Sequence, residues 1–84
     1  MKTKQNQYQP QSKPEHPGVT LETALIEIGM SIGNLANIIE EDRDRLTQII
    51  SGKSDITIQI AVKLEYLLNI SATFWMNRQR RYNG

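Results

Sequence analysis

Residues 31–53 contain the pattern that most restricts how this chain can fold: two short amphipathic repeats separated by only a few residues. The first repeat begins after Ser31 and the second after Asp42, and both residues are favourable helix N-caps. Within each repeat, apolar residues recur three or four positions apart, which is the spacing of one helix face. The inward positions are Ile32, Leu35, Ala36 and Ile39, then Leu46, Ile49 and Ile50. The pattern predicts two short helices joined by a tight turn.

The connection between the two repeats has the spacing of a helix-turn-helix unit. Such a unit needs a small residue where the helices touch, and Ala36 meets that requirement. Four positions later the turn needs a residue that tolerates positive φ; Glu40 stands there instead of the usual glycine, at a cost on the order of 1 kcal/mol. Leu46 supplies the apolar anchor. The segment therefore predicts a unit whose second helix can enter the major groove of DNA.

Three further helical repeats flank this unit. One follows Pro17 and Gly18 and ends before Gly29, another follows Thr57, and the last follows Ser71. Their apolar positions are Leu21, Ala24, Leu25 and Ile28, then Ile60, Ala61, Leu64, Leu67 and Leu68, then Phe74, Trp75 and Tyr82. We therefore predict an all-α fold, a bundle of five helices with short connections.

The chain has 84 residues, which is enough for one domain with a modest core. Residues 1–15 are rich in Gln, Lys and Pro, and Tyr8 is their only large apolar residue. Such a segment buries too little surface to offset its ordering entropy, so we predict a flexible or loose N-terminal arm. Residues 16–84 are predicted to form the helix-turn-helix domain.

Composition excludes several classes of function. The chain has no cysteine, so neither a disulfide nor a thiolate zinc site can support the fold. No apolar run approaches the roughly 20 residues of a transmembrane helix, and no signal peptide is recognisable, which predicts a cytoplasmic protein. His16, the single histidine, lacks catalytic or metal-binding partners and is expected to be structural. We therefore expect no metal, no cofactor and no enzymatic activity.

One face of the second helix of the unit is polar and is predicted to point away from the core. Its residues are Arg43, Asp44, Thr47 and Gln48, which form neighbouring pairs four positions apart. Arginine can bind guanine, glutamine can bind adenine, and aspartate can accept from the amino group of cytosine. Further candidates for DNA contacts, mostly to phosphate, are Arg45, Lys53, Ser31 and Asn34. The alternative is a solvated helix face whose arginines pair with neighbouring acids.

Three longer segments carry more specific patterns. They are HPGVTLETALIEIGMS over residues 16–31, LANIIEEDRDRLTQIISGK over residues 35–53, and ITIQIAVKLEYLLNISATFWMNRQ over residues 56–79. Together they resemble antitoxins of the HigA/VapI type, within the Cro/repressor-like (XRE) family of helix-turn-helix proteins. The Phe-Trp-Met-Asn block in the third segment is the most specific part of this resemblance.

The resemblance implies a dimeric regulator encoded beside a ribonuclease toxin. Such antitoxins neutralise the toxin, and their homodimer represses transcription by binding the shared double-stranded operator DNA. The family's dimer contact usually involves the C-terminal helix, which places Phe74, Trp75, Arg78 and Tyr82 in the predicted dimer interface. Adjacent helix positions point about 100° apart, so one of the two neighbouring aromatics is expected in the core and the other at the interface.

Two departures from the family pattern leave other functions open. Ile32 stands where glutamine is common, and it cannot donate a hydrogen bond to DNA. Glu40, Glu41 and Asp42 place three carboxylates at the edge expected to face DNA, where they would repel phosphate. One alternative is therefore a protein-interaction module with weak or lost DNA binding. Another is a phage-type repressor without a toxin.

Overall fold

The structure, a computed structural model, describes residues 14–84 and contains five α-helices and no strand over that range. This confirms the predicted all-α fold. The helices are α1 (Pro17–Ile28), α2 (Ile32–Ile39), α3 (Arg43–Ile50), α4 (Ile58–Leu68) and α5 (Ala72–Asn83). Most of the predicted N-terminal arm, residues 1–13, lies outside the described residues.

Every helix begins at a side chain that accepts a hydrogen bond from its own first turn. Ser31, Asp42, Thr57 and Ser71 each accept from the backbone N–H three residues later, at 3.0 Å in three cases and 3.3 Å at Thr57. His16 starts α1 in the same way, because its Nδ1 accepts from the N–H of Gly18 at 2.9 Å. Such caps each stabilise a helix by about 1 kcal/mol. The predicted helix starts and the structural role of His16 are confirmed.

Three helices end at a residue in the left-handed conformation. Gly29 ends α1 with φ of 69°, Glu40 ends α2 with φ of 57°, and Asn69 ends α4 with φ of 60°. Glycine adopts this conformation without steric cost, whereas Glu40 does not. The turn between α2 and α3 therefore has the geometry predicted from the motif, and a non-glycine residue accepts the strain.

The core lies where the five helices meet. Helix α3 packs against α1 and α2, and α4 packs against α5 and α2. The buried apolar residues are Leu21, Leu25, Leu35, Ala36, Ile39, Leu46, Ile49, Ile56, Ile60, Ala61, Leu64 and Trp75. Ile28, predicted to face inward, is instead exposed at the last position of α1, where the chain turns at Gly29.

The first turn of α1 and the last turn of α3 are in direct backbone contact. A Cβ atom added at Gly18 would lie 2.0 Å from the carbonyl oxygen of Ile49 and 2.9 Å from the Cα of Ile50. No side chain fits there, so the approach of the two helices requires glycine at this position.

Over residues 14–84, each helix is too short or too polar to span a lipid bilayer.

Candidate nucleic-acid interface

Helix α3 is attached to the domain by few side chains, and the rest of its surface is free. Leu46 and Ile49 are fully buried, and Ile50 packs partly against the core. The four residues predicted to contact bases are all exposed: Arg43, Asp44, Thr47 and Gln48. Their outward position agrees with the sequence pattern, and their role in binding DNA stays a prediction.

Two of these exposed side chains are oriented by hydrogen bonds within the domain. The Thr47 hydroxyl donates to the backbone carbonyl of Arg43 at 3.0 Å, so its proton is already used. The Oε1 atom of Gln48 accepts from the hydroxyl of Ser54 at 3.0 Å. The Nε2 donors of Gln48 are therefore the part of the amide with no partner among the described residues.

Ser54 is a functional candidate that the sequence analysis missed. The loop after α3 folds back, and the carbonyl of Gln48 accepts from the N–H groups of both Lys53 and Ser54. This return places the Ser54 hydroxyl beside the Gln48 side chain. The only sequence signal for it is the short polar Ser-Gly-Lys-Ser segment, which predicts a turn but not which side chain the turn would support.

The candidate phosphate contacts lie at the start of α2, on α3 and in the loop after α3. Ser31, Asn34, Arg45 and Lys53 are all exposed. The side-chain oxygen of Ser31 is engaged in capping α2, where it accepts from the N–H of Asn34. The two cations and the Asn34 amide are consequently the stronger candidates for binding phosphate.

Two of the three carboxylates expected to face DNA, those of Glu41 and Asp42, make contacts within the domain. The carboxylate of Glu41 lies 2.8 Å from the Nζ atom of Lys63 on α4, and its side chain is only 22% exposed. Asp42 accepts from the N–H of Arg45, so its carboxylate is used as the cap of α3. The ion pair with α4 therefore leaves Glu41 partly buried, whereas Glu40 and Asp42 are both exposed.

The two adjacent aromatic residues of α5 point in different directions, as expected from the 100° between neighbouring helix positions. Trp75 belongs entirely to the core. Its exposed fraction is 0%, and its indole N–H donates to the carbonyl of Ile70 at 3.1 Å. The prediction that Trp75 contributes to a dimer interface is therefore wrong, because it has no surface left to offer. Phe74 is 38% exposed and packs beneath the guanidinium of Arg78. Tyr82 packs edge-on against His16.

Gln79, also on α5, is a buried polar residue with every side-chain group satisfied. Its Oε1 accepts from the N–H of Ile56 at 2.7 Å, and its Nε2 donates to Asp55 and to Asn83. These bonds hold the segment between α3 and α4 against α5. Gln79, the last residue of the third segment that resembles the antitoxins, is therefore a structural residue.

These features define the class of protein. A short helix ends in a left-handed turn, and a second helix follows that is held from inside by two apolar residues and exposes a polar face. This is a helix-turn-helix domain of the Cro/repressor-like type.

Comparison with known proteins narrows the class, although no family model matches the chain. Virulence-associated protein A of Dichelobacter nodosus is 35% identical over 71 residues, a match that covers 82% of this chain and 70% of that protein. An addiction module antidote protein of the HigA family from Coxiella burnetii is 32% identical, with a TM-score of 0.77, over 86% of this chain and 79% of that one. The Pseudomonas aeruginosa antitoxin HigA, solved with the higBA promoter, is 30% identical, with a TM-score of 0.79, over 84% and 78% of the two chains.

The chain belongs to the HigA/VapI-type antitoxins of the XRE helix-turn-helix family. This family comprises antitoxins and transcriptional regulators, and the resemblance inferred from the sequence is confirmed.

Proposed function

We propose that this chain is a cytoplasmic antitoxin that represses its own promoter and neutralises a ribonuclease toxin encoded beside it. The observation that carries the proposal is the polar face of α3, which is exposed along its whole length. The Pseudomonas aeruginosa relative solved with a promoter supports the same activity. In the proposed complex a homodimer binds double-stranded operator DNA, with half-sites about 34–36 Å apart.

Within α3, each exposed residue has a distinct role in the proposal. Arg43 binds guanine through two hydrogen bonds, and Asp44 accepts from the amino group of cytosine. Gln48, whose Oε1 is held by Ser54, donates through Nε2 to an acceptor on a base edge. Thr47 contributes apolar contact with a thymine methyl group.

Phosphate contacts in the proposal come from α3, the loop after it and the start of α2. Arg45 and Lys53 supply the charge, while Ser31 and Asn34 lie at the start of α2, which crosses the DNA backbone in helix-turn-helix complexes. These contacts set the orientation of the domain on the duplex and do not select its sequence.

The arrangement of acids favours DNA binding over a module that has lost it. Glu41 is paired with Lys63, so the repulsion expected from three free carboxylates is reduced to that of Glu40 and Asp42. The exposed Glu40 and Asp42 and the apolar Ile32 are the observations that still favour the alternative, a protein-interaction module with weak DNA affinity.

A mobility-shift experiment with the DNA immediately upstream of the gene tests the proposal. We expect the affinity to fall with salt at a log–log slope near −0.9 per phosphate neutralised. Arg43→Ala should cost roughly 1–3 kcal/mol of binding and relax selectivity at one base pair. Arg81→Ala, which removes the same charge from α5, is the matched control and should leave base selectivity unchanged. Binding that is indifferent to sequence or to salt would contradict the proposal.

The neutralising activity is tested separately. Co-expression of the adjacent open reading frame should arrest growth without this chain and permit growth with it. A version that begins at residue 16 shows whether the proposed domain, residues 16–84, suffices or whether the proposed N-terminal arm is also required. Absence of an adjacent toxin gene would contradict this half of the proposal without affecting the operator-binding half.

A further inference from the structure

Asp55, in the segment between α3 and α4, is bound on both carboxylate oxygens by the last turns of α5. Its Oδ1 accepts from Nε2 of Gln79 at 3.3 Å, and its Oδ2 accepts from Nδ2 of Asn83 at 3.2 Å. Asp55 and Asn83 are both exposed, so water would satisfy either side chain if the bond between them were absent. This bond therefore contributes more to the position of Asp55 than to the stability of the fold.

The orientation of each amide in this network is fixed by a partner that can act in only one way. The backbone N–H of Ile56 can only donate, and it donates to Oε1 of Gln79 at 2.7 Å inside the domain. This leaves Nε2 of Gln79, which donates to Asp55 and also to Oδ1 of Asn83 at 3.2 Å. The Nδ2 group of Asn83 then faces the carboxylate. Because the donors and acceptors match, α5 holds residues 55 and 56 in one arrangement.

The next residue toward α3 is Ser54, which contacts Gln48 twice. Its backbone N–H donates to the carbonyl of Gln48 at 3.2 Å, and its hydroxyl donates to Oε1 of the same residue at 3.0 Å. Because a planar peptide joins Ser54 to Asp55, the position of Asp55 restricts where the hydroxyl can lie. The contacts of α5 therefore extend, through two adjacent residues, to a side chain on the exposed face of α3.

We infer that Asp55 and Asn83 are positioning residues for base selection, because they keep the Ser54 hydroxyl on Oε1 of Gln48. This inference rests on the proposed function, in which Gln48 contacts a base edge. With Oε1 occupied, the side chain offers only its Nε2 donors and selects bases that present acceptors, such as O6 of guanine or O4 of thymine. A free side chain can also turn Oε1 toward the amino group of adenine or cytosine. Loss of the network therefore broadens the base preference at one position.

Asn83→Leu tests the inference without changing the net charge. It removes the side-chain bonds of Asn83 at nearly constant size, and we expect discrimination among bases at the pair contacted by Gln48 to fall about threefold or more. Preferences at the other base pairs should not change. Asn77→Leu is the matched control, since Asn77 is an exposed asparagine of α5 that accepts from Arg80 of the same helix. Dissociation constants for operators changed at single base pairs give the preference, and a wild-type preference in Asn83→Leu would overturn the inference.

Exchanging the two side chains provides a rescue. Asp55→Asn alone places an amide donor against one of the two α5 donors, and Asn83→Asp alone places two carboxylates against each other. Each should broaden the preference, which is a ratio of affinities and so is little affected by the changed net charge. The double variant Asp55→Asn/Asn83→Asp has the wild-type charge and can form the same network, so it should restore the preference. Failure to restore it in a protein that circular dichroism shows to be fully helical would overturn the inference.

A measurement on the DNA-free chain separates this inference from the proposed function. The NMR order parameter of the Gln48 side-chain amide should be lower in Asn83→Leu than in the wild type or in Asn77→Leu, because the side chain is free to rotate. An equally ordered amide in all three proteins would overturn the inference whether or not the chain binds DNA. A loss of order confined to Asn83→Leu, in a chain whose wild type shows no base preference, would contradict the proposed function and leave the positioning contact standing.

Discussion

Helices α3 and α5 both carry residues that the sequence marks as functional, but the fold uses them in opposite ways. The distinctive residues of α5 point inward: Trp75 fills the core, and Gln79 holds the segment before α4. On α3 the polar residues point outward and contribute almost nothing to packing. The most recognisable block of the chain therefore maintains the domain, and the less distinctive helix is left available for a partner.

This contrast predicts that substitutions in α5 change stability, whereas substitutions on the outer face of α3 change binding. Trp75→Ala should have the largest effect, lowering the free energy of unfolding by about 3–5 kcal/mol, because a buried aromatic is replaced by a cavity. Urea denaturation measures the loss. Phe74→Ala, at the adjacent and partly exposed aromatic, is the control and should cost only about 1 kcal/mol. Equal losses at the two positions would break the distinction between the sides of α5.

Gln79→Ala should have the next largest effect. It leaves the buried N–H of Ile56 without an acceptor, which costs about 1–3 kcal/mol of unfolding free energy. Gln59→Ala removes an exposed glutamine from α4 and should change stability by less than about 0.5 kcal/mol. Thermal unfolding measures the loss of stability in both variants. If Gln79→Ala is as stable as the Gln59→Ala control, the polar contacts of α5 do not maintain the domain.

Ser54→Ala tests the α3 side of the contrast. We expect stability to stay nearly unchanged, while operator affinity falls by about 0.5–1.5 kcal/mol, because Gln48 loses the hydrogen bond that orients its side chain. Ser51→Ala is the matched control, since the Ser51 hydroxyl donates to the backbone carbonyl of Gln48 and not to its side chain. Titration of both variants with operators changed at one base pair at a time measures their operator affinity and their base preference. Identical base preferences in the two variants would show that Ser54 does not act through Gln48.

Glu40→Gly should have the smallest effect. It changes the turn between α2 and α3. Glycine adopts the left-handed conformation of Glu40 without strain, so the substitution should raise the free energy of unfolding by about 0.5–1 kcal/mol. Operator affinity should also rise at low salt, since an exposed carboxylate is removed. Glu40→Gln separates the two effects because it removes the charge and keeps the backbone strain. A gain in stability for Glu40→Gln equal to that for Glu40→Gly would mean that strain is not the cause.

Local features of the fold could be predicted from the sequence, because they depend on neighbouring residues. The caps at Ser31, Asp42, Thr57 and Ser71 each act on an N–H three residues away, and the left-handed turn at Glu40 follows from the motif spacing. The outward face of α3 was predictable for the same reason, since a helix repeats every 3.6 residues.

What the sequence could not show depends on residues far apart in the chain. Glu41 meets Lys63 and Gln79 meets Ile56 only because α4 and α5 fold back, and nothing in the local pattern selects these partners. The choice between Phe74 and Trp75 for the core is likewise made by the packing of α5 against α4.

The contact between Gly18 and Ile49 has a consequence for how such regulators diversify. Because this contact joins backbone to backbone and the rest of the packing uses the inward Leu46 and Ile49, the angle at which α3 is presented does not depend on its outward side chains. Duplicated genes can therefore exchange the outward residues of this helix and acquire separate operators while the docking geometry is inherited unchanged. The same property makes the domain a scaffold on which new operator preferences can be installed without redesigning its interior.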